Sequence, residues 1–309
     1  MKFVSFVLPK ETEPNEPEIP YLGVLDGDSI EDFRIEAGDV LFRLLGAGRS
    51  DVEGLRWYIK QYATRRKLAR VLLRAPMPSP VSIRSFSAFE AHTQALYRYL
   101  GRKMPPIWYD VPLFHFANHT TITGPEAVIP YPSQSQALDY GLEVACVIAR
   151  AGRNIPLDKA DDYIMGYVIF NDWTARDLQQ SEMTAGFGPA KSKDFANSFG
   201  PYLVTPDELE DRRTDRPGIY DLAMVARVNG EECSRGNWKE MQYSFAEMIA
   251  YASENVPLQP GDIFASGTVG GGCKLDQTKG NGPWLQTGDM VELEIEKLGV
   301  LRNTIGNKA

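Results

Sequence analysis

In the run Leu138–Ala149, LDYGLEVACVIA, a single glutamate, Glu143, interrupts a stretch of mostly apolar residues. Side chains of a strand alternate between faces, so Gly141, Glu143 and Ala145 share one face while Leu142, Val144, Cys146 and Ile148 share the other. Acids at positions i and i+2 would stand about 7 Å apart and converge on one hard cation. With glycine at 141, the 141/143 pair offers one carboxylate, Glu143. A second candidate lies in YVIFNDWTARDLQQSEM, 167–183, where an apolar strand ends at Asp172 and a helix carrying Arg176 and Gln179 follows. A carboxylate at the end of a buried strand is costly unless it is paired, hydrogen-bonded or bound to metal. Capping the following helix is the competing role for Asp172.

Three further segments carry usable groups. GPAKSKDFANSFGPYLVT, 188–205, places Lys191, Lys193 and Asp194 between a glycine-rich loop and a strand, where one lysine suits anchoring an anion or polarising a carbonyl. Plain solvated surface charge is the equal alternative. ASGTVGGGCKLD, 265–276, is a turn whose free backbone N–H groups suit a carboxylate or a developing oxyanion. It lacks the GxxxxGK[ST] pattern of a phosphate loop, which sets nucleotide binding aside. Of the three histidines, His115 and His119 read as structural, whereas His92, at the start of a helix near Glu90, is the best general base.

The elements that must position these groups follow from composition and pattern. At 309 residues, 43% hydrophobic and 24% charged, the chain is expected to build a large core. A net charge of −8 argues against nucleic-acid or anionic-membrane partners and for a small molecule. Cys146, Cys233 and Cys273 are scattered without CxxC spacing, and the short apolar start MKFVSFVLPK is no signal peptide or span, so a reduced cytoplasmic protein is expected. Residues 1–75 read as a small N-terminal α/β domain with two strands and helices around Ile30–Ala47 and Val52–Leu73, the latter with a basic, solvated face. APMPSPVSI, 75–83, reads as a linker. From 76 to 309 many short strands, an Asn-Gly hairpin in VARVNGEE and sparse helices (Phe86–Leu100, Trp173–Met183, Ser244–Asn255) indicate a rolled or barrel-like β domain, an α+β fold overall.

Taken in order, LDYGLEVACVIARAGRNIP, FNDWTARDLQQ, GPAKSKDFANSFGPYLVTPDEL and LQPGDIFASGTVGGG closely resemble the fumarylacetoacetate hydrolase family over roughly 80–305. The resemblance implies a mixed β-roll catalytic domain, a homodimer, a divalent cation (Mg2+, Mn2+ or Ca2+) on acidic ligands, and chemistry on β-diketo acids or acylpyruvates. It implies Glu143 and Asp172 as metal ligands, Arg176, Gln179, Lys191 and Thr268 as substrate-holding residues, Lys191 also as an enolate stabiliser, and His92 with Asp276 as the water-activating pair. Family members usually carry glutamate at the position of Gly141 and aspartate at that of Ser85, so two acidic ligands are missing and Mg2+ or Mn2+ is expected to bind weakly unless substrate oxygens and water fill in. Aspartate at 276, in place of the usual glutamate, is expected to weaken direct contact with His92. Three readings follow: C–C bond hydrolysis through a metal-chelated enolate; a metal-independent isomerase, decarboxylase or cyclase in the same pocket; and a non-catalytic relative.

Overall fold

The computed structural model describes residues 1–9, 19–37, 57 and 59–308. In chain order its strands are β1 (Lys2–Val7), β2 (Tyr21–Asp26), β3 (Ser29–Glu36), β4 (Thr64–Lys67), β5 (Leu72–Arg74), β6 (Ser82–Phe86), β7 (Phe114–Ala117), β8 (Ile122–Thr123), β9 (Val128–Tyr131) and β10 (Leu138–Asp139). There follow β11 (Leu142–Ile148), β12 (Ile164–Asp172), β13 (Thr174–Ala175), β14 (Asn197–Val204), β15 (Ala223–Val228), β16 (Glu231–Asn237), β17 (Asp262–Ala265), β18 (Met290–Ile295) and β19 (Gly299–Lys308). Among the described residues the α-helices with bounded ends are α1 (Glu90–Tyr99), α2 (Arg176–Thr184), α3 (Phe245–Ala252) and α4 (Lys274–Thr278).

One sheet runs β4-β3-β2-β1-β14-β12-β11-β17-β6-β7, with β5 added to β1 and β8 to β14; a second runs β16-β15-β18-β19-β9. The fold is α+β, mostly sheet, and neither sheet closes into a barrel. β11 and β12 are buried along their whole length, which explains their nearly continuous apolar sequence. The alternation expected of β11 is realised: Leu142, Val144, Cys146 and Ile148 enter one core cluster, Ala145 and Val147 the other. The larger core contains a set of aromatic contacts among Tyr167, Tyr220, Trp238 and Phe245. α3 starts with a capping box in which Ser244 and Glu247 satisfy each other's backbone N–H groups.

The N-terminal helices need correction. Residues 29–36 form β3, because the Asp26–Ser29 turn folds them back antiparallel onto β2. The Ile30, Phe33 and Ala37 spacing (i, i+3, i+7) imitates a helical stripe, yet hydrogen bonding to β2 prevails; residues 38–47 lie outside the described residues. In the second expected helix, 57 and 59–62 are helical, whereas 64–67 form β4 and 72–74 form β5; 52–56 and 58 lie outside the described residues. The basic run that suggested a solvated helical face instead lies across the acidic hairpin, with Arg65 on Asp26 at 2.9 Å, Arg66 on the buried Asp32 at 2.6 Å and Lys67 on Asp28 at 2.7 Å. The helix expected from 86 begins at Glu90, after Phe86 has ended β6. No helix among the described residues is long and apolar enough to cross a membrane.

The large sheet continues across the proline-rich segment: β1 pairs with β14 through Lys2–Val204 and Phe3–Leu203, and with β2 on its other side. Phe3 is fully buried in the same cluster as Phe170 and Phe199. Phe3→Ala is expected to lower stability by about 3–5 kcal/mol, measured by urea unfolding followed by tryptophan fluorescence; a loss below about 1 kcal/mol would mean that β1 is not integral to the sheet.

Candidate active site

Register carries the candidate groups onto one face of the sheet. Residues paired across neighbouring strands project to the same side, and so do residues two apart in one strand. Glu143 pairs with Phe170, so Asp172, two residues on, shares its face. Ala145 pairs with Ala265, Ala265 with Ser85, and Ser85 with His115, which adds Ser85 and His115 to that face. Gly141 lies opposite Asp172, whose N–H donates to the Gly141 carbonyl at 3.3 Å. A Cβ on residue 141 would stand 2.9 Å from Thr268 Oγ1 and 3.1 Å from the Asp172 carbonyl oxygen. Glycine is therefore what the packing of Thr268 accepts, and a glutamate there would require Thr268 to move.

These groups line a cavity of about 280 Å3 together with His92, Arg176, Gln179, Lys193 and Thr268. Both Glu143 oxygens are engaged: Gly267 N–H and Thr268 Oγ1 donate to them, each at 3.1 Å. Lys193 Nζ pairs with Asp172 Oδ2 and donates to Thr174 Oγ1 at 2.8 Å. Asp172 Oδ1 is buried with no hydrogen-bond partner. Burial, and then the charge of Asp172, push the Glu143 carboxyl well above the usual range, although Lys193, Thr268 and the Gly267 N–H work against them. One ammonium thus faces two buried carboxylates, so the second must take up a proton or share a cation. The orphaned Asp172 oxygen and the proton-hungry Glu143 fit a divalent ion with two protein carboxylates and its remaining positions open to Ser85, water or ligand oxygens.

Lys191, assigned by the resemblance to substrate binding, lies outside the cavity: it is largely exposed and paired with Asp194 at 3.1 Å. Lys193 takes the buried position instead. Two lysines two residues apart in a turn look alike in sequence, and only the partner across the sheet distinguishes them. The turn is held by Glu182, which accepts from the Ala190 N–H at 2.9 Å and from Ser192 Oγ at 2.6 Å.

His92 sits in the first turn of α1, and its Nδ1 lies 2.9 and 3.1 Å from the two Asp276 oxygens. The direct contact expected to be weakened is therefore intact. α4 brings Asp276 close enough to offset the shorter side chain, and Gly271 N–H fixes Oδ2 from behind at 3.0 Å. Burial works to raise the Asp276 carboxyl, but the charge and hydrogen bond of His92, with Arg176, outweigh it and hold it below the usual range. Nδ1 is thus committed to a carboxylate and Nε2 is left for proton transfer. Cys273 Sγ lies 3.6 Å from the same Nδ1, its thiol pushed well up by burial.

Arg176 is fully buried, donating to Asp139 at 2.9 Å and to Gln179 at 3.0 Å. Asp139 also accepts from Lys274 N–H at 2.8 Å and Leu275 N–H at 3.1 Å, so one carboxylate aims Arg176 into the cavity wall and anchors the start of α4, which carries Asp276. Sequence reasoning misses Asp139, although it carries a signal, a carboxylate inside an apolar run for which burial demands a partner. His115, read as structural, also lines the cavity; its Nε2 is buried without a partner, and burial, then Lys193, depresses its pKa to about 4.

Residues 82–306 match the family model described as fumarylacetoacetate (FAA) hydrolase C-terminal. Over 197 residues the chain is 34% identical to a 2,4-didehydro-3-deoxy-L-rhamnonate hydrolase of Sphingomonas sp. (strain SKA58), covering 63% of this chain and 65% of that one. Over 186 residues it is 33% identical to a mitochondrial oxaloacetate tautomerase of Xenopus laevis, covering 60% and 55% respectively. The chain thus spans less than two thirds of either relative. Its fold matches, with a TM-score of 0.73 and 23% identity over the whole of both chains, a maleylpyruvate hydrolase of Sphingobium sp. SYK-6 in complex with manganese(II) and pyruvate.

Two outcomes follow from the geometry. Lys193→Met leaves two buried carboxylates without their cation and is expected to cost about 3–5 kcal/mol. Lys191→Met should change stability by less than about 0.5 kcal/mol, and equal effects in chemical denaturation would refute the distinction. His115, whose native pKa of about 4 lies below its ordinary 6.5, binds more protons when unfolded, so stability falls as pH drops through that window. His115→Gln should remove a pH-dependent loss of about 3 kcal/mol between pH 7 and 4, read from urea midpoints at both values.

Proposed function

The chain belongs to the fumarylacetoacetate hydrolase family, and from that premise we propose that it hydrolyses a C–C bond of a 2,4-dioxo acid of the acylpyruvate type. The observation that carries the reading is the direct His92–Asp276 pair in the wall of the cavity that holds Glu143, Asp172 and Lys193. An enzyme that adds water to a carbonyl needs a base with one nitrogen held and the other free, and this pair has that form. The relatives' names agree in substrate type: oxaloacetate is a 2-oxo acid and a 2,4-didehydro-3-deoxy sugar acid is a 2,4-diketo acid.

In this reading Arg176, oriented by Asp139 and Gln179, binds the substrate carboxylate with its remaining N–H groups. His92 Nε2 takes a proton from water as the oxygen attacks the acyl carbonyl, and Asp276 stabilises the imidazolium that forms. The C3–C4 bond then breaks, releasing a carboxylic acid and leaving the electron pair on the pyruvate enolate, which Lys193 stabilises and His92 reprotonates at C3. Mg2+ or Mn2+ held by Glu143 and Asp172 would supply Lewis-acid polarisation of the two keto oxygens.

A second reading, a tautomerase or decarboxylase that transfers protons without adding water, draws support from the high proton affinity of Glu143 next to Lys193. Product analysis in H2(18)O separates the two, since only hydrolysis places label in a released carboxylic acid. With a 2,4-dioxo acid and added Mn2+, turnover is expected to fall by roughly 10^2–10^4-fold in His92→Ala, with the melting temperature kept. Undiminished turnover in that variant would refute the assignment of His92 as the base.

A further inference from the structure

We infer that the substrate carries an uncharged, apolar acyl tail, a phenyl or medium-length alkyl group; this deepens the keto-acid reading of the same cavity and rests on it. The cavity has two chemically distinct linings. On α1, His92 is followed one helical turn later by Leu96, both lining residues. On α2, Arg176 and Gln179 are followed by Met183, again one turn on and again lining. Each helix therefore gives the cavity its polar group first and an apolar one about 5.4 Å further along its axis. The apolar side is extended by Trp108, Leu113 and Phe114.

That side offers little to a second charge. The Trp108 indole N–H is used by the Ser87 carbonyl at 2.7 Å, so the indole contributes only its ring, and a Tyr243 hydroxyl bond to the Trp108 carbonyl, also 2.7 Å, holds it there. Phe114 packs on Phe86 with ring centroids 5.0 Å apart. Among the described residues, the lysine and arginine lining the cavity are Lys193 and Arg176, each already held by a carboxylate, Asp172 and Asp139. The keto acid's own carboxylate claims the donors that Arg176 has left. A tail ending in a second carboxylate would be buried against rings and alkyl groups with no cation to meet it. An apolar tail instead gains roughly fourfold in affinity per buried methylene.

The test separates tail preference from reaction. Equilibrium binding of unreactive 2-oxo acids is measured by tryptophan fluorescence or calorimetry, comparing 2-oxo-4-phenylbutanoate and 2-oxooctanoate with 2-oxoglutarate and 2-oxoadipate. The apolar acids are expected to bind at least 30-fold more tightly, and Met183→Arg, at a half-buried position that tolerates a long side chain, should shift the ratio at least tenfold toward the dicarboxylates while the melting temperature stays near wild type. Equal or tighter binding of the dicarboxylates, or no binding of the apolar acids, overturns the inference. Turnover of benzoyl- and carboxyacryloyl-substituted 2,4-dioxo acids is then compared. Tail-ranked binding without hydrolysis refutes the reaction and keeps the tail, whereas hydrolysis confined to the carboxyacryloyl compound refutes the tail and keeps the reaction.

Discussion

Two carboxylates buried on one face of a sheet, Glu143 and Asp172, face a single ammonium, and much of the rest of the site is arranged around that imbalance. Lys193 neutralises Asp172, and Glu143 is left leaning on a hydroxyl and a backbone N–H while its proton affinity climbs. The same imbalance leaves an Asp172 oxygen unpaired in the interior, a state that a folded protein tolerates where a ligand or cation completes it. With glycine at 141 and serine at 85, the site holds less negative charge than the family pattern implies, and Thr268 packs into the space that the glycine leaves.

A second buried charge pair links Arg176 to His92. Arg176 and Asp139 neutralise each other in the interior, and Asp139 simultaneously caps the N-terminal N–H groups of the short helix that carries Asp276. The orientation of His92 is thereby tied to the group that would bind a carboxylate, although the two lie on different elements. The coupling needs no moving part, because each contact is a charge-assisted hydrogen bond in a region from which water is largely excluded.

The sheet explains why these contacts are possible at all. Glu143 and Asp172 are neighbours because β11 and β12 pair antiparallel in one register, and a shift by one residue would put the two carboxylates on opposite faces of the sheet. β6 and β17, parallel and joined in register, add Ser85, while β7 adds His115. The polar floor of the cavity is thus a product of strand register, and its apolar wall a product of helical spacing on α1 and α2.

Period and residue type alone are enough to assign the strand face of Glu143, the cost of Asp172 at a strand end and the α+β class, because alternation and burial cost are local rules. The choice between Lys191 and Lys193 was not local: the two lysines occupy equivalent places in a turn, and only the position of Asp172 on a strand paired with β14 decides which is buried. The role of Asp139 is non-local for the same reason, since its partners lie 37 residues away at Arg176 and 135 at Lys274. Residues 30–36 and 64–67 look helical in sequence because apolar spacing and basic composition carry no information about a partner strand, and the acidic hairpin that recruits TRRK is recognised only once β2 and β3 have folded together. Long-range pairing, both of strands and of buried charges, is what tertiary structure decided here, because its free energy belongs to two distant segments jointly and to neither one alone.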